Sequence, residues 1–370
     1  MSIGQDGVSG LAIPPSIVET RGMALPPWKK VLLVDLGFLG DTVHSVPAIR
    51  ALALGGIRVD VMTTPIGAEI LSLVPEVKKT WVAPLRKPSP PPWKNLGTVL
   101  AIRKEKYDAA ITLTSGERNL VTTALSGATE RLGVIGKTRW WFFLLPLTRR
   151  VTPPDRDQPL YGQRLDGLRQ MGWEGSNPGW AWRMPGGGDV LPGQTSLGAS
   201  VYLSLSAFGS PLKEWPVRLW AQALQYVWQR SPQVKFIVGF ADNPREKQRA
   251  AQLAEVSRNP RQLQVLHSTQ TLASLAGLLQ KVDLFAGLDS GILHLAVALG
   301  KPTVSVFRDY VGKAEWAPEG RNHRILSRPC KCHRLKKNLC GEEARCLAGV
   351  SPEEVGDAIS QLLSCKPEAS

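Results

Sequence analysis

The chain has 370 residues, 43% hydrophobic and 21% charged, enough to bury one large core or two. No stretch is long and apolar enough to read as a transmembrane helix. Lys and Arg give a formal net charge of +14, which favours an anionic partner: a nucleotide, a phosphorylated glycan, a membrane surface or a nucleic acid.

Residues 1–22 are rich in Gly, Ser and Pro and lack the basic start and continuous apolar core of a signal peptide. They read as part of a flexible extension over 1–27, or as unused if Met23 is the start. After Pro26 and Pro27, "KKVLLVDL" is short, β-branched and closed by Gly37, which predicts a buried parallel strand. "DTVHSVPAIRALALGG" predicts a helix with Asp41 near its N-terminus and Gly55-Gly56 as its stop. Strand "IRVDVMTT", helix "GAEILSLVP", strand "KTWVAP", helix "NLGTVLAIRKEKY" and strand "DAAITLT" follow. Residues 184–199, "MPGGGDVLPGQTSLGA", read as a linker. Alternation restarts with strand "SVYLSLS", helix "VRLWAQALQYVWQRS", strand "KFIVGF", helix "NPREKQRAAQLAEVS", strand "LQVLH" and helix "TLASLAGLLQKV". Strand "DLFAGL", helix "GILHLAVALG" and strand "PTVSVF" complete it. The pattern predicts an α/β protein of two doubly wound halves, 28–183 and 200–350, with a C-terminal helix and tail over 351–370. Ligands on such sheets sit at the carboxyl ends of strands, so the cleft between the halves is the candidate site.

Three loops after predicted strands carry groups suited to anions. In "DLGFLGD" a strand, a glycine turn and a helix bring backbone N–H groups and the positive helix end together. Only G-x-x-G is present, from Gly37 and Gly40, where the dinucleotide fingerprint needs G-x-G-x-x-G. Asp60, placed at the end of the second strand, would then be the ribose-binding acid, which keeps an NAD-dependent oxidoreductase as an alternative. Asp41 suits a helix cap, and in the predicted cleft it also suits a proton acceptor; its place at a helix N-terminus implies a lowered pKa. In "LFAGLDSGILHL", the N–H groups of Ser290, Gly291 and Ile292 could cradle a phosphate beside Asp289, with His294 one turn into the helix. "SLSAFGSPLKEWP" sets Ser204, Ser206, Ser210 and Lys213 between a strand and a helix, with Pro216 opening the helix. No Asp-x-Asp pair suited to a divalent ion on a sugar nucleotide is found.

Four of the five cysteines, Cys330, Cys332, Cys340 and Cys346, crowd into "CKCHRLKKNLCGEEARC" beside His333. That is no distributed disulfide framework, so a reducing cytoplasm is expected. The spacing also departs from paired C-x₂₋₄-C knuckles, which leaves a metal site and plain reduced cysteines both open. The basic stretches "IRKEKY", "LTRRV" and "HRLKKN" suit a solvated surface or attraction to anionic sugars and lipids. They form no nucleic-acid-binding motif.

The ordered blocks "VLLVDLGFLGDTVHSVPAIRAL", "YDAAITLTSGERNLVTTALSGATERLGV", "KEWP", "TLASLAGLLQKVDLFAGLDSGILHLAVALGKPTVSVF" and "CLAGVSPEEV" together resemble the heptosyltransferase-type glycosyltransferases, glycosyltransferase family nine. The resemblance implies a GT-B type fold, two Rossmann-like domains with parallel sheets facing across a cleft. It implies inverting, metal-independent transfer of heptose from ADP-heptose to an inner-core sugar of lipopolysaccharide or a related anionic glycolipid. No cofactor and no nucleic acid are expected, and the setting is the cytoplasm, at the inner leaflet of the inner membrane. In the family's terms Asp41 is the general base and Lys213 meets the donor phosphates. Gly40, Ser206, Ser210, Asp289, Ser290, Gly291, Ile292 and His294 belong to the donor site. Glu246 in "NPREKQRA" is the nearest match to the acid that holds the adenosine ribose, and Arg118 and Arg139 are the acceptor-side candidates. Phe38, and "FRDY" from Phe307 to Tyr310, depart from the family's small residue and Gly-Pro-Thr-like loop. A non-catalytic glycan- or lipid-binding module on a degenerate transferase fold is the remaining alternative.

Overall fold

The structure, a computed structural model, describes residues 28–83, 96–136, 144–180, 182, 198–207, 211–240, 243–257, 259, 261–266, 271–331 and 344–365. In the first half β1 (Lys30–Asp35), β2 (Arg58–Thr63), β3 (Val77–Val82), β4 (Ala109–Thr112), β5 (Glu130–Val134) and β6 (Arg149–Val151) pair in the order β3-β2-β1-β4-β5-β6, all parallel. Around them run α1 (Leu39–Leu54), α2 (Pro65–Leu71), α3 (Leu96–Lys104), α4 (Glu117–Leu125) and α5 (Leu160–Gln170). The second half repeats the plan. Its strands β7 (Ser200–Leu203), β8 (Lys235–Val238), β9 (Leu263–Val265), β10 (Leu284–Leu288), β11 (Thr303–Val306) and β12 (His323–Leu326) lie in the order β12-β11-β10-β7-β8-β9, with α6 (Val217–Arg230), α7 (Pro244–Ser257), α8 (Leu272–Lys281) and α9 (Gly291–Ala298). Counted within each half, both sheets have the same doubly wound order, 3-2-1-4-5-6.

The strands form where the sequence reads as continuous apolar runs. Val31 to Asp35 of β1 and all of β10 are buried, as expected of parallel strands covered on both faces. In α6 the buried Leu219, Trp220, Ala223, Leu224 and Val227 repeat with helical period and form one face. The last helix, Pro352–Ser364, begins with Ser351 and Glu354 in a reciprocal capping box and packs on α6. It is thus an integral part of the second half.

One hydrophobic cluster spans both halves. It joins Val43, Val46 and Ile49 of α1 to Leu275 and Leu279 of α8 and Leu293 of α9. Trp182 N–H donates to the Ala298 carbonyl at 2.9 Å, tying the exit from the first half to α9. Most of the expected linker, all but Gly198 and Ala199, lies outside the described residues.

Two expectations are corrected here. Helix α1 begins at Leu39, so Gly40 stands inside its first turn and not in the loop before it. Asp60 is the third residue of β2 and fully buried; it accepts the Tyr107 hydroxyl at 2.8 Å and the Arg58 Nε–H at 3.2 Å. A carboxylate closed into the core in this way cannot hold a ribose.

Candidate functional site

In each sheet the strand order reverses between its first and fourth strands, β1 and β4 in one half, β7 and β10 in the other. Loops leaving the carboxyl ends of these strands open a crevice. Asp41 follows β1 in the first turn of α1, the loops after β7 and β10 carry Lys213 and Asp289, and α1 crosses α9 between the two halves.

Asp41 lies in the first turn of α1, where its carboxylate accepts the Phe38 N–H at 3.0 Å. On the other side, Arg164 Nη2 stands 3.5 Å from Asp41 Oδ1. Only about a quarter of the side chain is exposed (26%). Burial is the largest influence on it and raises its pKa above 3.8; Arg164 opposes and Asp35 reinforces the rise. The lowered pKa expected from the helix N-terminus is therefore overturned, because lost hydration outweighs the amide dipoles. Arg164 comes from α5 and is itself buried. Its Nη1 donates to Asp35 Oδ2 at 2.7 Å, and the Asp35 carboxylate also accepts the Ser45 hydroxyl and the Gly37 N–H.

Across the cleft, a 3₁₀ turn (Pro211–Lys213) presents Lys213. Its Nζ lies 2.7 Å from Asp289 Oδ2, which also accepts the Tyr310 hydroxyl at 2.7 Å. Tyr310 belongs to the "FRDY" segment, so that departure from the family pattern supplies a partner for Asp289. The next residue, Glu214, fixes the loop: it accepts the Ala207 N–H at 3.1 Å and pairs with Arg245 and Arg249. Trp215 then packs edge-on to Trp220 in the second-half core.

Two hydroxyls here, Ser206 Oγ and Ser290 Oγ, are buried without a hydrogen-bond partner. Such groups are costly unless something else satisfies them. Ser290 is the N-cap of α9, whose first N–H groups, including those of Gly291 and Ile292, leave the helix unpaired by construction.

His294 is turned toward the interface. Its Nδ1 lies 3.3 Å from His44 Nε2, and burial holds it neutral with a pKa of about 4; burial lowers His44 as well. A cavity of about 210 Å³ beside this pair is walled by Tyr161, Trp180 and Trp316. Gly40 packs on the same side: a Cβ there would come within 3.1 Å of His294 and 3.2 Å of Trp316. At Gly291 a Cβ would come within 2.9 Å of Leu39 from the other half. Gly291→Ala is therefore expected to wedge the halves apart at this crossing, lowering the melting temperature by about 2–4 °C and weakening nucleotide binding. Differential scanning calorimetry with and without ADP checks it.

Glu246 stands in the first turn of α7, near enough to the buried Tyr202 to help raise that hydroxyl's pKa. Arg118 is exposed in the first turn of α4, after β4. Ser210, Arg139, Cys332 and Cys340 lie outside the described residues. Cys346 is buried in the second-half core and Cys330 is half-buried, its N–H donating to Asp309 at 2.9 Å. Among the described residues no group of three or more His, Cys, Asp or Glu gathers to hold a metal.

The site thus sets Asp41 on one side, at the start of α1, and Lys213, Asp289 and Ser290 on the other, with Gly40 and His294 in the contact between halves. Sequence reading missed Asp35, His44, Arg164 and Glu214, and named Tyr310 only as part of the "FRDY" departure. An acid ending a strand just before a glycine turn could have flagged Asp35.

The model of glycosyltransferase family 9 (heptosyltransferase) matches residues 193–344. Lipopolysaccharide heptosyltransferase 1 of Pseudomonas aeruginosa is 24% identical over 379 residues, covering 90% of this chain and 98% of the relative. The structure of the E. coli heptosyltransferase WaaC with ADP-2-deoxy-2-fluoro heptose superposes with a TM-score of 0.69 at 18% identity, covering 90% of this chain and 99% of that one. A glycosyl transferase family 9 structure from Veillonella parvula DSM 2008 gives 0.73 at 16% identity, with 92% and 99% covered. The likeness to these structures is one of fold, and the fold is GT-B.

Proposed function

We propose that this chain, matched by the model of glycosyltransferase family 9 over residues 193–344, acts as a member of that family and transfers heptose from ADP-heptose, with inversion and without a metal, to an inner-core sugar of lipopolysaccharide or a related glycolipid. The observation that carries this is the pair of facing sides: a carboxylate with a raised pKa on one, Asp41, and on the other a lysine beside unpartnered hydroxyls and the N-terminus of α9.

In this reading the acceptor hydroxyl attacks the anomeric carbon while the bond to the ADP β-phosphate oxygen breaks, and its proton passes to Asp41. One carboxylate suffices, because base and leaving group stand on opposite faces of the sugar. Negative charge growing on the departing diphosphate is met by Lys213 and by the N–H groups at the start of α9, groups already aimed before reaction. Lys213 lies 2.7 Å from Asp289, so in this reading its ammonium meets the donor phosphate while still paired with Asp289. Asp289 is assigned to the donor sugar hydroxyls, its Oδ2 held by the Tyr310 hydroxyl as well as by Lys213. Glu246 is assigned to the adenosine ribose and Arg118 to the acceptor.

The acceptor is lipid-anchored in this reading, and the +14 charge suits work at an anionic inner leaflet. Among the described residues no helix is long and apolar enough to cross a membrane. The oxidoreductase alternative loses its ribose acid with Asp60 buried against Tyr107.

Incubation with a panel of nucleotide sugars and truncated core acceptors, read by product mass, is the test. A mass gain of one heptose unit from ADP-heptose is expected. No transfer from any nucleotide sugar, together with no calorimetric binding of ADP, would sink the proposal.

A further inference from the structure

The buried guanidinium beside Asp41 is unevenly shared. Arg164 sits on α5 with a side chain 1% exposed, yet its Nη2 and Nε have no hydrogen-bond partner. Nη1 is committed to Asp35 at 2.7 Å, a charge-assisted hydrogen bond of ordinary length. Nη2 faces Asp41 at 3.5 Å, too far for such a bond but close enough to act through charge. Asp35 in turn is held by the Ser45 hydroxyl and the Gly37 N–H, so it cannot swing aside and release the guanidinium. Two carboxylates therefore share one cation, and the better-placed one takes most of it.

From this we infer that Arg164 and Asp35 are positioning residues that set the basicity of Asp41: Arg164 keeps its carboxylate ionised and oriented, and Asp35 keeps that hold loose. A carboxylate in a close bidentate pair with Arg is a poor proton acceptor, whereas one with no cation would hold its proton more tightly in so desolvated a place. The arrangement lies between the two. The inference rests on reading Asp41 as the base of the transfer. His44 on the same helix and His294 on α9 are both held neutral by burial, and Arg50, further along α1, is paired with Glu76 at 3.2 Å.

The two partners make opposite predictions for Asp41. In Asp35→Asn the guanidinium is freed toward Asp41, and the Asp41 pKa falls. In Asp35→Asn combined with Arg164→Gln, which keeps the interior neutral and protects folding, it rises. Each shift is expected to be about one pH unit. The measurement is a carboxyl-carbon NMR titration of the full chain with labelled aspartate, the Asp41 resonance being assigned by its loss in Asp41→Asn. Arg164→Lys, whose single ammonium stays on Asp35, should also raise the Asp41 pKa and serves if the double variant does not fold. Shifts of the same sign in both directions, or none, overturn the inference and leave Arg164 as a purely structural tie between α5 and β1. The acid limb of kcat should follow the NMR shifts while the donor Kd stays unchanged. If the resonance moves but the limb does not, Asp41 is not the base, and the electrostatic assignment stands without it.

Discussion

Asp41→Asn is expected to lower kcat by at least about 10³-fold, the upper part of the range for losing a general base, while leaving the Kd for ADP within about twofold. The amide preserves the shape of the first turn of α1 but cannot take the acceptor proton. Its effect on stability should be the opposite of its effect on rate. Burial raises the Asp41 pKa in the folded protein, so the folded state holds the proton more tightly than the unfolded state does. The ionised carboxylate therefore costs stability at neutral pH, and that cost disappears as pH falls through the folded-state value. Asp41→Asn should accordingly melt at or above the parent temperature at pH 7, and the gain should vanish in acid. Thermal melts at pH 7 and pH 4, beside single-turnover kinetics, test both halves of the statement. A variant that loses ADP binding as severely as it loses activity would move Asp41 from proton transfer to donor binding.

Lys213→Ala should lower turnover at saturating donor by about 10²–10³-fold, the range for removing one preorganised group that meets developing charge. Lys213 is nearly a third exposed and Asp289 is buried, so the truncation leaves Asp289 with the Tyr310 hydroxyl as its remaining strong partner. Folding should change little, since the loop is fixed by Glu214 through Arg245, Arg249 and the Ala207 N–H, and by Trp215 in the core. Lys213→Arg should recover part of the rate, because charge is kept while the compact ammonium geometry is lost. Full turnover in Lys213→Ala would remove it from the leaving-group side.

The architecture was legible because parallel strands announce themselves. "KVLLVD" and "LFAGL" are buried along nearly their whole length, and helices such as α6 carry a single apolar side. Legibility ends between residues 113 and 183. There β5, "ERLGV", and β6, "RRV", are short and charged near one edge of the sheet, and an edge strand needs fewer buried residues to form. The site divides in the same way. Asp41, Lys213 and Asp289 follow predicted strands, so their meeting could be argued from topology alone. Arg164 is separated from Asp35 by 129 positions and sits in "LYGQRLDGLRQ", a helix whose polarity reads as solvent-facing. Only packing against α1 reveals that this arginine points inward. Asp60 failed in the reverse sense: a strand acid read as ligand-facing is sealed by Tyr107 and, beyond it, Trp81.

The close approach of α1 and α9 sets a condition on recombining this chain with its relatives. Leu39 leaves no room for a side chain at 291, His294 and Trp316 leave little for one at 40, and His44 bonds to His294. A hybrid that keeps the first half and takes a donor-binding half from another sequence inherits one side of each fit. Such hybrids should fold when the grafted half brings glycine, histidine and tryptophan to these three places, and should otherwise need α1 exchanged along with it. Shuffling donor preference is thus not a matter of cutting at the linker alone, because α1 has to travel with α9.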